Sequence, residues 1–272
     1  MNNKGSSKPL IFKKKLGQHF LRDQGTIFEI INLVQPRPED LILEIGAGDS
    51  ALTKPLALSG AQITAIEIDR ELTDQLGLLF DKMSNVEVLN QDILHFDFPR
   101  LKTRNKKWKI VGNLPYNIST QLILKLLHHR ELFSLITVMV QKEVGDRLLA
   151  SPGNKSYGRL SVMTQRLASM TWCLDVTPDK FFPIPKVWSS IIQIEPKTVS
   201  LNPNLESYFQ NTVREAFSHR RKTLSNSLKA LLTSRDIEAV GIDPLARAEQ
   251  LGIEEFEALA KVVQDKKTRI NS

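Results

Sequence analysis

Cysteine is nearly absent from this 272-residue chain: Cys173 stands alone, so no disulfide can form within the chain and no thiolate-rich zinc site can be assembled. Such usage fits a reducing compartment, and a cytoplasmic protein is expected. Long uncharged apolar runs are missing too, and the basic N-terminus is not followed by the apolar stretch of a secretory signal. No membrane association is expected. Acidic residues are the minority charge, with 30 Asp and Glu against 37 Lys and Arg, a formal net charge of +7. That balance favours an anionic partner, nucleic acid first. The surplus is uneven. Lys4, Lys8, Lys13, Lys14 and Lys15 all precede the first acidic residue, Asp23, and SHRRK over 218–222 makes a second cluster.

Hydrophobic residues make up 41% of the chain, enough for a substantial core. From residue 41 onward, short β-rich runs alternate with helical patterns. LILEI (41–45), QITAIEI (62–68), VEVLN (86–90), WKIVGNL (108–114) and LITVMVQ (135–141) are nearly continuous in apolar character. Such runs suit strands covered on both faces, and the helices between them imply a parallel α/β sheet. After Ser119, expected as an N-cap, Leu122, Ile123, Leu126 and Leu127 share one helical face. MTWCLDV and SSIIQIE, joined by the Pro-rich TPDKFFPIPKV, read as a closing hairpin at the sheet edge, a methyltransferase-like finish. Near EPKTVSLNPN (195–204) the strand runs stop. Leu205, Phe209, Val213 and Phe217 then recur at helical spacing, and Asp243 with Pro244 reads as a helix start. A domain over 1–199 and a small all-helical domain over 200–272 are expected, with residues 1–11 and the terminal KKTRINS disordered.

The chain also lacks a Lys-Ser/Thr phosphate loop and the third Gly of a dinucleotide fingerprint. This argues against a phosphate-dominated ligand. What is present is LEIGAGDSALT after the first run, where Gly46 and Gly48 permit a tight turn and close approach to a ligand. Glu67 ends the second run about twenty residues on, placed to accept from both hydroxyls of a ribose. Asp92, in LNQDIL after the third, can accept from an adenine amino group. Three strand ends thus converge on the carboxyl edge of a parallel sheet, where such folds bind ligands. S-adenosylmethionine, a nucleoside without phosphate, fits this set as cofactor.

The fourth strand ends in VGNLPYNIS (111–119). An exocyclic adenine nitrogen is a poor nucleophile because its lone pair is delocalised into the ring. Accepting hydrogen bonds from its N–H groups frees that pair, and Asn113 with the main-chain carbonyl of Leu114 can supply the acceptors. Pro115 stiffens the turn, and Tyr116 offers a flat face against which a flipped base can stack. Attack on a sulfonium methyl yields an ammonium that readily loses its proton, so the chemistry calls for neither metal nor strong base, only positioning in a dry pocket.

Together GQHFL (17–21), EIGAGDSALT, IEIDREL, VGNLPYNIST, QKEVGDRLLA, SYGRLSV, FFPIPKV, FSHRRKTLSNSL and RAEQL resemble the small-subunit ribosomal RNA adenine N6,N6-dimethyltransferase family over about residues 12–260. The resemblance implies a Rossmann-like class I S-adenosylmethionine-dependent methyltransferase domain followed by a small C-terminal all-helical domain. It implies transfer of methyl groups to N6 of two adjacent adenosines in the 3′-terminal hairpin loop of 16S rRNA, with the assembling small ribosomal subunit as substrate. Position by position, His19, Leu21, Gly46, Glu67, Asp92 and Asn113 fall on the cofactor contacts. Asn113, Leu114 and Tyr116 fall on the catalytic motif, and Phe181 falls on the aromatic that helps clamp the target base. Ala47 departs from a common Pro, and Phe182 adds bulk beside Phe181, leaving open which of the two faces the base. Arg220, Arg221 and Lys222 are expected on rRNA phosphates.

Two other readings compete. An N6-adenine DNA methyltransferase usually carries a second Pro where Leu114 stands and a separate target-recognition domain. A ribosome-assembly or RNA-binding factor could keep the fold without turnover, although intact Gly46, Glu67, Asp92 and Asn113 argue against loss of catalysis. Nothing in the sequence calls for an oligomer, and a monomer is expected.

Overall fold

In a computed structural model, described for residues 18–198, 203–219 and 221–271, the strand runs assemble into one seven-stranded sheet. Its members in chain order are β2 (Leu41–Ile45), β3 (Gln62–Glu67), β4 (Val86–Asn90), β5 (Trp108–Asn113), β6 (Phe133–Gln141), β7 (Ala168–Val176) and β9 (Ser189–Pro196), and they lie side by side as β4-β3-β2-β5-β6-β9-β7. The first five strands across the sheet are parallel, while β9 pairs antiparallel with both β6 and β7. The expected edge hairpin is therefore present, with β9 laid against β6. Ile42, Leu43, Ile110, Val111, Ile136 and Val140 are all buried, as continuous apolar strands between two helical layers require. Because β3 and β4 extend to one side of β2 and β5 and β6 to the other, the order reverses between β2 and β5. A crevice opens at such a reversal beyond the strands' carboxyl ends.

A second, two-stranded ribbon has no counterpart in the sequence pattern. β1 (Phe20–Leu21) pairs antiparallel with β8 (Phe181–Phe182), Leu21 opposite Phe181 and Phe20 opposite Phe182. Just after it, α1 (Gln24–Val34) starts at Asp23, whose carboxylate accepts from Thr26 N at 2.8 Å and pairs with Lys180 Nζ at 2.8 Å. This bond to Lys180 holds the Asp23 carboxyl near 2. The ribbon is thus pinned to the sheet's helical cover.

The helices between strands are α2 (Thr53–Leu58), α3 (Arg70–Phe80), α4 (Ser119–His128), α5 (Lys142–Leu149) and α6 (Arg159–Gln165). The apolar stripe of α4 is buried as read, but Ser119 is not its cap. The cap position falls on Ile118, and Ser119 is a buried helical residue whose hydroxyl donates to Tyr116 O at 3.3 Å. The preceding turn, closed by Pro115 O accepting from Ile118 N and Ser119 N, already supplies the start a cap would give.

Beyond β9 come α7 (Pro203–Ala216), α8 (Leu224–Ser227), α9 (Ser234–Glu238) and α10 (Ile253–Asn271). Phe209, Val213, Leu228, Phe256 and Leu259 form their core, which also takes in Ala150, Tyr157 and Val162 from before β7. Two expectations fail here. KKTRINS is not disordered over its described residues, since α10 runs through Asn271. Asp243 accepts from Leu245 N at 2.8 Å, yet the segment it opens is a turn rather than a helix. Arg166, ending α6, inserts between α7 and α10. Its Nη1 lies 2.5 Å from Glu206 and its Nε 2.7 Å from Glu257, and its guanidinium stacks 3.9 Å from the Phe209 ring centroid. Among the described residues no helix is long and apolar enough to cross a membrane.

Candidate active site

The crevice between β2 and β5 is an open cleft, and the four strand ends named above contribute its walls. From β2 comes the turn Gly46-Ala47-Gly48. Gly46 has φ +73°, a backbone state that a β-carbon disfavours, and its N–H donates to Ile66 O at 2.8 Å, folding the turn back over β3. From β3 comes Glu67, a buried carboxylate. Its Oε2 accepts from Gly48 N at 3.0 Å and its Oε1 from Asp69 N at 2.9 Å. Burial pushes this carboxyl above its ordinary range, and the two backbone N–H groups offset only part of that rise. Each oxygen keeps a further lone pair for a ligand hydroxyl.

From β4 comes Asp92. It caps a short 3-10 turn, Oδ1 accepting from Leu94 N at 2.9 Å, while Oδ2 meets His95 Nδ1 at 2.9 Å. The carboxylate serves the local fold and lines the cleft at once. Ile68, an exposed apolar residue, and Ile93 complete the wall around it. Sequence reasoning passed over both, although an isoleucine directly after each strand-end carboxylate was a readable signal for an apolar slot.

From β5 comes Asn113. Its Nδ2 donates to the main-chain carbonyl of His19 at 2.7 Å. A carbonyl can receive only a donor, so this bond fixes the amide's orientation and leaves Oδ1 as the free end. Among the described residues Asn113 Oδ1 and the Leu114 carbonyl accept no hydrogen bond, while Leu114 N is anchored to Met139 O at 3.0 Å. The neighbouring Gly112 is demanded by close approach: a β-carbon there would sit 2.5 Å from Ile45 O on β2. Tyr116 is held by its hydroxyl, 2.8 Å from Ser189 Oγ, and one ring face stacks on His19 with centroids 5.5 Å apart at 24°. His19 is fixed in turn by its Nδ1, 2.7 Å from Pro183 O.

The residues singled out from sequence thus meet in one place. His19, Leu21, Gly46, Glu67, Asp92, Asn113, Leu114 and Tyr116 all line the cleft. Phe181 does not. It is 2% exposed and packs with Leu21, Ile27, Ile30 and Met139 in the core, whereas Phe182 is 52% exposed. Successive residues of a strand face opposite ways, and pairing with Leu21 turns Phe181 inward, so in this structure it lies behind the cleft wall rather than in it. Arg221 and Lys222 are exposed, away from the cleft lining; Arg220 lies outside the described residues, as do the N-terminal lysines and residues 1–11.

Beneath the Gly46 turn, Glu44 of β2 also reaches the cleft. It is fully buried, and desolvation raises its pKa to about 8 although hydrogen bonding from Thr53 pulls the other way. Near neutral pH Glu44 therefore keeps its proton at the cleft floor. The cleft thereby combines strand-end carboxylates, a buried acid and apolar walls.

Comparison with known proteins decides the family. The description "ribosomal RNA adenine dimethylase" belongs to a family whose pattern matches residues 10–265. The chain belongs to that family. Membership carries the activity by which the family is described, dimethylation of adenine in ribosomal RNA. Among curated relatives, ribosomal RNA small subunit methyltransferase A of Hahella chejuensis is 43% identical over 93% of each chain. The protein of that name from Pseudomonas fluorescens is 44% identical over 93% of this chain and 94% of its own. Among solved structures, a dimethyladenosine transferase from Plasmodium falciparum superposes with a TM-score of 0.75 at 28% identity, covering 89% of this chain and 96% of that one. The 23S rRNA methyltransferase ErmE gives 0.70 at 26%, covering 90% and 99%. These likenesses bear out the expected fold class.

Proposed function

We infer that the protein transfers methyl groups from S-adenosylmethionine to N6 of two adjacent adenosines in the 3′-terminal hairpin loop of 16S rRNA, acting in the cytoplasm as a monomer on the assembling small ribosomal subunit. The observation that carries this reading is the oriented amide of Asn113, its Oδ1 and the Leu114 carbonyl left as paired acceptors beside the Gly46 turn. The names of the curated relatives support the choice of small-subunit rRNA.

When bound, S-adenosylmethionine supplies an electrophilic methyl group on a sulfonium. Glu67 would hold its ribose, Asp92 its adenine amino group with Ile68 and Ile93 against the ring, and the Gly46 turn, His19 and Leu21 the remainder. The target adenosine is accepted by the loop. Asn113 Oδ1 and Leu114 O take hydrogen bonds from the N6 hydrogens, which concentrates the lone pair on nitrogen and aims it into the cleft. Tyr116, one face already against His19, presents its other face to the base. Two acceptors match an amino group with two hydrogens; after one methylation a single N–H remains to be held, and after the second none. The helices from about residue 200 onward, with Arg220, Arg221 and Lys222, form the part that grips rRNA phosphates.

The test is transfer of labelled methyl groups to small subunits from cells lacking the modification, with mature subunits, large subunits and DNA as controls and Asn113→Ala alongside. Label on adenosine N6 near the 3′ end of 16S rRNA, lost in the variant, is expected. Label on large-subunit RNA or DNA would refute the substrate assignment, and tight subunit binding with no label would mark an assembly factor instead.

A further inference from the structure

An apolar surface on the segment leading into β9 remains unaccounted for. Phe182, Ile184, Val187 and Trp188, four of the seven residues 182–188, are exposed large hydrophobics. Single exposed apolar residues are ordinary, but a contiguous group marks a contact surface. The last two line a groove of about 950 Å3 together with Gln141, Lys142, Glu143 and Lys186.

The backbone under the groove is held by the sheet. Trp188, 48% exposed, is the residue before β9, and its carbonyl accepts from Lys142 N at 2.9 Å. Next in the chain, Ser189 pairs with Gln141 in the sheet and holds the Tyr116 hydroxyl. The indole thus sits one position along the chain from the group that fixes the base-stacking tyrosine. The charges are unequal in availability. Lys142 Nζ lies 2.5 Å from Asp175 and 3.9 Å from Asp146, so its charge is already shared. Lys186 is exposed and pairs with no carboxylate among the described residues. Glu143, the one carboxylate in the lining, disfavours a phosphate over its own end and leaves Lys186 as the anion anchor.

We propose that this groove receives the nucleotide next to the target adenosine, with its base stacked on Trp188 and its phosphate on Lys186. The proposal rests on the RNA reading of the cleft. An adenosine drawn into the cleft leaves its neighbour unstacked, and an unstacked base of any identity presents a face to an aromatic ring. The position of Trp188 at the strand end next to Ser189, which holds Tyr116, and a single cation in the groove lining not engaged by a carboxylate, Lys186, favour RNA over an apolar peptide as the occupant. For two adjacent adenosines, the neighbour is the other member of the pair, parked while the first reacts.

The experiment measures steady-state methyl transfer at varied concentrations of small subunits lacking the modification, for wild type, Trp188→Ala, Trp188→Leu, Trp188→Tyr and Lys186→Gln. Affinity for S-adenosylmethionine, measured by equilibrium binding, reports whether each variant has folded. Loss of one stacked base raises KM for subunits roughly 5- to 150-fold in the Ala and Leu variants, with the loss in KM rather than kcat, and Tyr restores most of it. In Lys186→Gln the slope of log affinity against log salt falls by about 1. Leu rescuing as well as Tyr, or an unchanged KM in Trp188→Ala, would overturn the proposal. Wild type turning over while the Trp188 variants match it sinks the groove alone, whereas a wild type that transfers nothing sinks the RNA reading beneath it.

Discussion

Replacing Gly112 by Ala adds one methyl group where the Gly46 turn and the Asn113 loop lie close together. The added carbon would lie 2.5 Å from Ile45 O, 3.2 Å from Ile45 Cβ and 3.4 Å from Ile45 C. Two of these three atoms belong to the main chain of β2, so no side-chain rotation relieves the contact. Reaching even 3.0 Å requires the two strands to part by about 0.5 Å, and the register pairs Ile45 with Gly112 directly. Overpacking of this kind costs about 1 to 3 kcal/mol, or roughly 2 to 12 °C in Tm for a protein of this size. The functional loss is larger in proportion. Gly46 comes directly after Ile45 and Asn113 directly after Gly112, so the displacement separates the ligand turn from the acceptor amide. Where a misplacement of 1 Å costs about 100-fold in rate, half of that costs roughly 10-fold. The assay is kcat for methyl transfer at saturating cofactor and subunits, paired with chemical denaturation. A Gly112→Ala protein with wild-type kcat and stability would refute the claim that this close approach sets the site.

Other residues carry expected outcomes of their own. Glu44 has its pKa raised to about 8 in the folded protein against 4.5 when unfolded. Between those values the native state holds a proton that the unfolded chain releases, so stability falls as pH rises from about 4.5 to 8, by several kcal/mol in sum; Glu44→Gln flattens that slope, which Tm measured from pH 5 to 9 would reveal. Glu67→Gln keeps the shape but weakens the acceptors offered to a ribose, and should lower S-adenosylmethionine affinity about 10-fold with little change in KM for subunits, as titration calorimetry would read. Arg166→Ala removes a guanidinium held by two carboxylates and a ring; because Glu206 and Glu257 stay partly exposed and can return to water, the cost is about 2 to 3 kcal/mol in urea denaturation, below that of a fully enclosed pair. Arg221→Gln with Lys222→Gln should flatten the salt dependence of subunit binding by a slope of about 2, measured from 50 to 200 mM salt.

The parallel sheet is legible in advance because its strands are short apolar runs, four of which end at a Gly or a polar side chain. Gly46, Glu67, Asp92 and Asn113 stand at four such ends, and folding the runs side by side brings the four together without further information. Bonds between distant segments are a different matter. No local pattern shows that Asn113 donates to the His19 carbonyl ninety-four residues away, or that Ser189 holds Tyr116. Phe181 reads as the base's aromatic because motif position says nothing of strand face; the two-residue pairing of β1 with β8 decides that, and it buries Phe181 while exposing Phe182. Gly112 and Glu44 were within reach. A glycine inside an otherwise apolar strand signals close backbone approach, and a glutamate in the middle of LILEI has no apolar reason to be there. The turn after Asp243 shows the opposite limit, since a good cap and a following proline fit a turn as well as a helix.

Arg166 has a consequence for how such a protein could be rebuilt. The chain passes from β9 toward α7 near residue 199, an obvious place to cut and graft on other helices. The packing ignores that seam. Arg166 before it reaches across to Glu206 and Glu257 after it, and the buried Tyr157 hydroxyl donates to Leu251 O at 2.9 Å. A transplanted recognition module would have to bring its own pair of carboxylates, its own aromatic face and its own carbonyl to the same places, or leave a guanidinium and a phenol stranded in an apolar joint. Exchange of the C-terminal helices is thus constrained from the side of the sheet, by two residues that stand outside the lining of the candidate site.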